Sequence, residues 1–116
     1  MGQLTTHVLD TMHGTPAAGV RIDLYSLGDD RVQIKSIVTN ADGRYDQSLL
    51  NNDEIKKGKW ELVFYIGDYF TAKNVATTGV PFLDEVPVRF GIDDIEAHYH
   101  VPLLVSPWSY STYRGS

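Results

Sequence analysis

Apolar and polar positions alternate along most of this chain with a period of two, the signature of strands that bury one face. Val20, Ile22 and Leu24 alternate with Arg21, Asp23 and Tyr25, and Val32-Gln33-Ile34-Lys35 continues the alternation beyond the polar turn Gly28-Asp29-Asp30-Arg31. Residues 60–66 are aromatic and β-branched, as strands prefer. Val86, Val88 and Phe90 alternate again, and residues 98–105 are followed by a last strand over 109–113. Turn residues punctuate the pattern at His13-Gly14-Thr15-Pro16, Asn40-Ala41-Asp42-Gly43, Lys57-Gly58 and Ser106-Pro107. Only residues 68–78 resist the strand reading. Their Tyr69, Phe70, Ala72, Val75 and Ala76 suit two or three helical turns ending at Gly79. The prediction is a mainly β protein, an antiparallel β-sandwich of about eight strands with one short helix. Nothing divides residues 1–116, so a single domain is expected.

Composition narrows the function classes. Ten Lys and Arg against fifteen Asp and Glu give a net charge of −5, so no general attraction to nucleic acid or anionic membrane is expected. The absence of cysteine excludes disulfides, thiol catalysis and thiolate metal sites. The apolar stretches are strand-sized and too short to span a membrane. Residues 1–7 lack the basic and apolar regions of a secretion signal. The expected location is cytoplasmic, or periplasmic if a signal peptide has been removed.

The candidate chemistry lies in histidines and one arginine. If Thr6 and Val8 point inward in a strand over residues 4–9, then Thr5, His7 and Leu9 point outward together. His7 reads either as a solvated surface histidine or as part of a covered face. His98 and His100 project from one strand face, with Cα atoms roughly 6.5–7 Å apart. Pro102 and Leu104 continue that face, while Tyr99, Val101, Leu103 and Val105 fill the other. A proline there calls for an edge or an unpaired position. The face is too apolar for bulk water, so a second subunit is expected to close it. His-x-His also suits zinc, with His7 as third ligand, but no carboxylate stands at a telling spacing and the reading adopted carries no metal and no cofactor. Arg44 reads either as a surface guanidinium paired with Asp42 or Asp46, or as a planar donor for carbonyls of a ring substrate. Asp10 reads as a turn former or as an acceptor for an imidazole, and His13 as solvated. Without a Gly-x-Ser-x-Gly elbow or a phosphate loop, serine hydrolase and nucleotide-binding readings have no support.

Three segments together resemble a known family. His7-Val8-Leu9-Asp10 with Gly14-Thr15-Pro16-Ala17 resembles the opening signature of transthyretin and its enzymatic relatives. The run from Tyr99-His100-Val101-Pro102 through Ser106-Pro107-Trp108-Ser109-Tyr110-Ser111-Thr112 resembles the closing one. The ending Tyr113-Arg114-Gly115-Ser116 is similar to that of the branch hydrolysing 5-hydroxyisourate and is absent from the hormone carrier. Where the carrier has lysine, glutamate and threonine, this chain has His7, Arg44 and His100, as the hydrolase branch does.

The resemblance implies a homotetramer, a dimer of dimers with active sites in clefts at the dimer–dimer interface. It implies ring opening of 5-hydroxyisourate to 2-oxo-4-hydroxy-4-carboxy-5-ureidoimidazoline: water attacks C6 and the N1–C6 bond breaks. His7, Arg44 and His100 are then the expected catalytic residues. The two imidazoles act on water and the leaving nitrogen, in an order the sequence leaves open, and Arg44 orients and polarises the carbonyls. Ser111, Tyr113, Ser116 and His98 are expected to bind substrate or support the site. Tyr113 should also shorten the channel that the carrier keeps open. The competing reading is a small-molecule binding protein without catalysis.

Overall fold

The computed structural model describes residues 1–75 and 79–115. Its elements run β1 (Gln3–Asp10), β2 (Thr15–Pro16), β3 (Arg21–Leu27), β4 (Arg31–Val38), β5 (Gly58–Tyr65), α1 (Ile66–Ala72), β6 (Glu85–Ile92), β7 (His98–Val105) and β8 (Tyr110–Thr112). They form two four-stranded sheets, ordered β2-β1-β7-β8 and β4-β3-β5-β6. The β-sandwich with one helix is thus as expected. Every strand pairing is antiparallel except one: β1 and β7 run parallel, in register from Gln3 with His98 to Asp10 with Val105. Strand periodicity is blind to this, because no hairpin joins two strands so far apart in sequence.

The inward set of each strand meets between the sheets. Leu4 and Val8 of β1 and Leu103 and Val105 of β7 face Ile22, Leu24, Leu62 and Phe64, all essentially inaccessible to solvent. Each such aliphatic side chain gains about 1.5–3 kcal/mol on burial. Packing of this kind holds β1 and β7 rigidly and leaves their other face, with Thr5, His7, His98 and His100, turned outward.

Three local expectations differ. The helix spans Ile66–Ala72, starting directly from β5, rather than residues 68–78. Ile66, Tyr69 and Phe70 supply its buried stripe at i, i+3 and i+4. It closes at Asn74, which takes the left-handed conformation with φ of 59°. Of the segment expected to be helical, residues 76–78 lie outside those described. In β4, Val32 and Ile34 are 50% and 44% exposed. This is an edge strand, and a register shift opposite Leu24 and Tyr25 breaks its alternation. His13 is not simply solvated. Its Nδ1 lies 2.6 Å from Oδ2 of the fully buried Asp10, and its backbone N–H donates to Oδ1. The Tyr69 hydroxyl donates to the same carboxylate at 2.8 Å, so Asp10 both forms the turn and accepts from an imidazole. Burial pushes the Asp10 pKa up, but the hydrogen bonds from His13 and Tyr69 outweigh it and hold the group below its ordinary value.

Candidate active site

The parallel register of β1 and β7 brings the outward residues together. Thr5 stands opposite His100 and Gln3 opposite His98. Thr5 Oγ1 lies 2.8 Å from His98 Nε2 and 2.8 Å from His100 Nδ1. The ring centroid of His100 is 6.4 Å from that of His7 and 6.3 Å from that of His98. His7 and His100 are half-buried, and His98 is exposed. Pro102 sits in the interior of the sheet and pairs in register with His7, but its other side lies beyond the β7–β8 ladder. Its carbonyl accepts from the Thr112 hydroxyl at 2.7 Å, so its nitrogen faces the side of β8, where the ladder ends at Thr112. Beyond that gap the chain returns to β7, and the Gly115 N–H donates to the His100 carbonyl at 2.7 Å. A Cβ at position 115 would stand 2.6 Å from His100 Cδ2, so only glycine lets the chain end pass against this ring.

Arg44 arrives from the other side of β1. The segment from Gly43 to Leu50 runs along the edge that β7 leaves free, with bridges of Arg44 to His7 and Leu50 to Leu4. The Val8 N–H donates to the Gly43 carbonyl at 2.8 Å. Gly43 has φ of 72°, and a Cβ there would collide with the Val8 carbonyl oxygen, so the turn requires glycine on both counts. Asn40 clamps the turn: its Oδ1 accepts the N–H of Asp42 and of Arg44, and its N–H donates to the Arg44 carbonyl. The Arg44 backbone is therefore held at both polar atoms. Its guanidinium is exposed and makes no ion pair with Asp42, Asp46 or any other carboxylate among the described residues.

These groups line a recess of about 400 Å³ that includes Thr5, Arg44, Tyr45, His98, His100 and Tyr113. His7 stands beside it. The recess is large enough for a small heterocycle. A groove of about 450 Å³ near Glu54, Lys57 and Trp60 has no imidazole in its lining.

The electrostatics follow from burial and from Arg44. Partial burial and then the guanidinium charge lower the His7 pKa below 6.5. Burial, Arg44, His7 and His98, in that order, lower that of His100. Both rings are therefore neutral at pH 7, each with one nitrogen lone pair able to accept a proton. Among the described residues no three histidines or carboxylates converge in a way that would hold a metal ion.

The structure brings together His7, Arg44, His98 and His100, with Tyr113 at the rim and 59% exposed. Ser111 pairs with Leu104 in the β7–β8 ladder, beyond the recess, which does not include it. Ser116 lies outside the described residues. Thr5, Tyr45 and Gly115 were not singled out from the sequence. Thr5 is one register step from His100 once β1 and β7 are known to pair; Tyr45 and Gly115 carry no local signal.

The chain matches the HIUase/Transthyretin family over residues 4–115. It is 55% identical over 116 residues to 5-hydroxyisourate hydrolase 2 of Rhizobium meliloti (strain 1021), an alignment covering 99% of this chain and 97% of that one. The structure of Klebsiella pneumoniae 5-hydroxyisourate hydrolase superposes with a TM-score of 0.83 at 32% identity, covering all of both chains. The crystal structure of (S)-allantoin synthase superposes with a TM-score of 0.94 at 50% identity, covering 99% of this chain. This chain spans only 44% of that longer polypeptide.

Proposed function

The chain belongs to the HIUase/Transthyretin family, and from this premise we propose that it hydrolyses 5-hydroxyisourate to 2-oxo-4-hydroxy-4-carboxy-5-ureidoimidazoline, a cyclic amidohydrolase of urate degradation. The observation that carries the reading is the convergence of neutral His7 and His100 with an Arg44 guanidinium that has no carboxylate partner among the described residues. A carrier of apolar aromatic ligands has no use for two proton acceptors beside a cation.

In the proposed mechanism Arg44 grips the substrate carbonyls through parallel N–H donors and stabilises the oxyanion that forms at C6. His7 and His100 act on the attacking water and on the leaving N1. One hydrogen of water ends on N1. The other ends on the new carboxyl group, which ionises. His98 and Tyr113 border the bound ring, and Ser111 and Ser116 are proposed as further substrate contacts. The half-buried Leu9 and Leu104 extend the outward face, and Trp108 and Tyr110 are exposed at 59% and 44%. These residues support a tetramer, a dimer of dimers whose paired faces enclose the clefts.

The direct test generates 5-hydroxyisourate in place with urate oxidase and follows its ultraviolet decay. The protein is expected to accelerate decay equally with and without chelator. No acceleration by intact tetramer would refute the hydrolase reading, and loss of acceleration with chelator would require a metal on the histidines.

The lowered pKa values give a pH prediction with a definite sign. A folded protein whose His7 and His100 titrate below 6.5 keeps its proton acceptors down to a lower pH than free histidine would. kcat/KM is expected to stay flat from pH 8 to about 6.5 and to fall only below it. Unfolding free energy should decline in the same direction. Below about pH 6.5 the unfolded chain binds protons that the folded one still refuses, until the folded pKa values are passed. An acid limb above pH 6.5 would contradict this assignment.

A further inference from the structure

Thr5 has one hydrogen and two imidazole partners, at 2.8 Å from His98 Nε2 and 2.8 Å from His100 Nδ1. We propose that Thr5 is a positioning residue which ties the tautomers of His98 and His100 and passes a proton between them. The catalytic part of this inference rests on the hydrolase reading above.

A hydroxyl has one hydrogen to donate and two lone pairs that accept, and among the described residues the Thr5 hydroxyl has no acceptor other than these two rings, so it donates to one and accepts from the other. Only two arrangements satisfy both contacts. In one, His100 Nδ1–H donates to Thr5 and the Thr5 hydroxyl donates to His98 Nε2, leaving His100 Nε2 with a bare lone pair. In the other, His98 Nε2–H donates to Thr5, Thr5 donates to His100 Nδ1, and the proton of His100 lies on Nε2. The first makes His100 a base, the second an acid, and Thr5 allows no mixture of the two.

The first arrangement begins the reaction. As the water oxygen, oriented by the neutral His7 ring, bonds to C6, His100 Nε2 takes the proton that water releases. The Nδ1 proton passes to Thr5 Oγ1, and the Thr5 hydrogen passes to His98 Nε2. The carbonyl becomes an oxyanion and His98 an imidazolium, so charge balances. When N1–C6 breaks, N1 takes the Nε2 proton, and the chain reverses: His98 returns its proton to Thr5, and Thr5 returns one to His100 Nδ1.

Burial explains why such a path is useful. An imidazolium on His100 would be half-buried, facing Arg44 and His7, whereas on His98 it is exposed to water. The groups facing His100 are Thr5 and His7 on β1, His98 on its own strand, Arg44 and Tyr45 from the loop after β4, and Tyr113 and Gly115 from the chain end. Arg44 is the cation among them, and its charge disfavours an imidazolium on His100.

The test compares Thr5→Val, which keeps the shape and removes the hydroxyl, with Thr5→Ser, which restores it. In Thr5→Val, kcat is expected to fall roughly tenfold or more with KM little changed, part of the roughly 10²–10⁴ that a positioned acid–base group supplies. Thr5→Ser should recover most of it. His98→Ala should reproduce the loss, and the double variant should be no worse than either single one. Long-range ¹H–¹⁵N spectra of the ring nitrogens give a readout independent of turnover. In the wild type His98 and His100 should change tautomer together across pH 5–8, and in Thr5→Val separately. Unchanged spectra and kcat in Thr5→Val, or full additivity in the double variant, would overturn the proposal. A wild-type protein inactive towards 5-hydroxyisourate would overturn the hydrolase reading and the catalytic path with it, while the spectra would still report whether Thr5 ties the two rings.

Discussion

His100→Ala is expected to lower kcat on 5-hydroxyisourate by about 10²–10⁴, the range associated with removing a general acid–base group. The loss should appear mainly in kcat, because proton transfer belongs to the transition state more than to ground-state binding. The fold should survive. His100 projects outward, and the neighbours that fix its strand, Tyr99, Val101 and Leu103, are buried on the opposite face. What disappears is one hydrogen bond to Thr5 and the ring packed against Gly115. His7→Ala should behave similarly, since it removes the other neutral imidazole beside Arg44. The ultraviolet assay, accompanied by a thermal melt and a measurement of oligomeric state, separates a chemical loss from dissociation. Near-normal turnover by a folded His100→Ala variant would remove His100 from the mechanism.

How much of this was legible depends on the range of the interaction. The outward position of His7 followed from alternation with Thr6 and Val8, because one buried face fixes the parity of every residue in the strand. The shared face of His98 and His100 followed for the same reason. Alternation failed in β4, where an edge position removes the partner sheet and a register shift breaks parity. The helix boundary moved to Ile66 because its buried stripe is chosen by the core and not by local propensity. Thr5 was legible only as an outward residue beside His7, because its contact with His98 and His100 depends on the parallel register of strands whose paired residues, such as Thr5 and His100, lie 95 positions apart, for which no local pattern exists. Arg44 was flagged by chemistry, but its setting was not legible. That setting depends on Gly43 fitting against Val8 and on Asn40 holding both ends of the turn. The family resemblance, rather than periodicity, joined Arg44 to the histidines, and the bridge between Arg44 and His7 gives that association a physical form.

Arg44→Glu is expected to reduce kcat/KM by about 10³ or more at neutral pH. Removing a single oxyanion donor costs roughly 10²–10³, and charge reversal adds a second penalty. The guanidinium helps to hold both His7 and His100 below the ordinary histidine pKa, after burial. A carboxylate in its place raises both, so the protonated, non-accepting forms persist to higher pH. The acid limb of the rate profile should therefore move up in Arg44→Glu, and less in Arg44→Gln, which loses the donor pair without adding negative charge. Arg44→Lys should keep the limb near its original position, since the charge remains, yet lose rate because an ammonium cannot reproduce the planar pair of donors. Stability should change little in all three, because Arg44 is exposed and its backbone is held by Asn40. Profiles of kcat/KM against pH for the three variants distinguish the two contributions. An unmoved acid limb in Arg44→Glu would show that burial and the neighbouring imidazoles, without Arg44, set the histidine pKa values. Retained turnover in that variant would show that the oxyanion is stabilised elsewhere in the cleft.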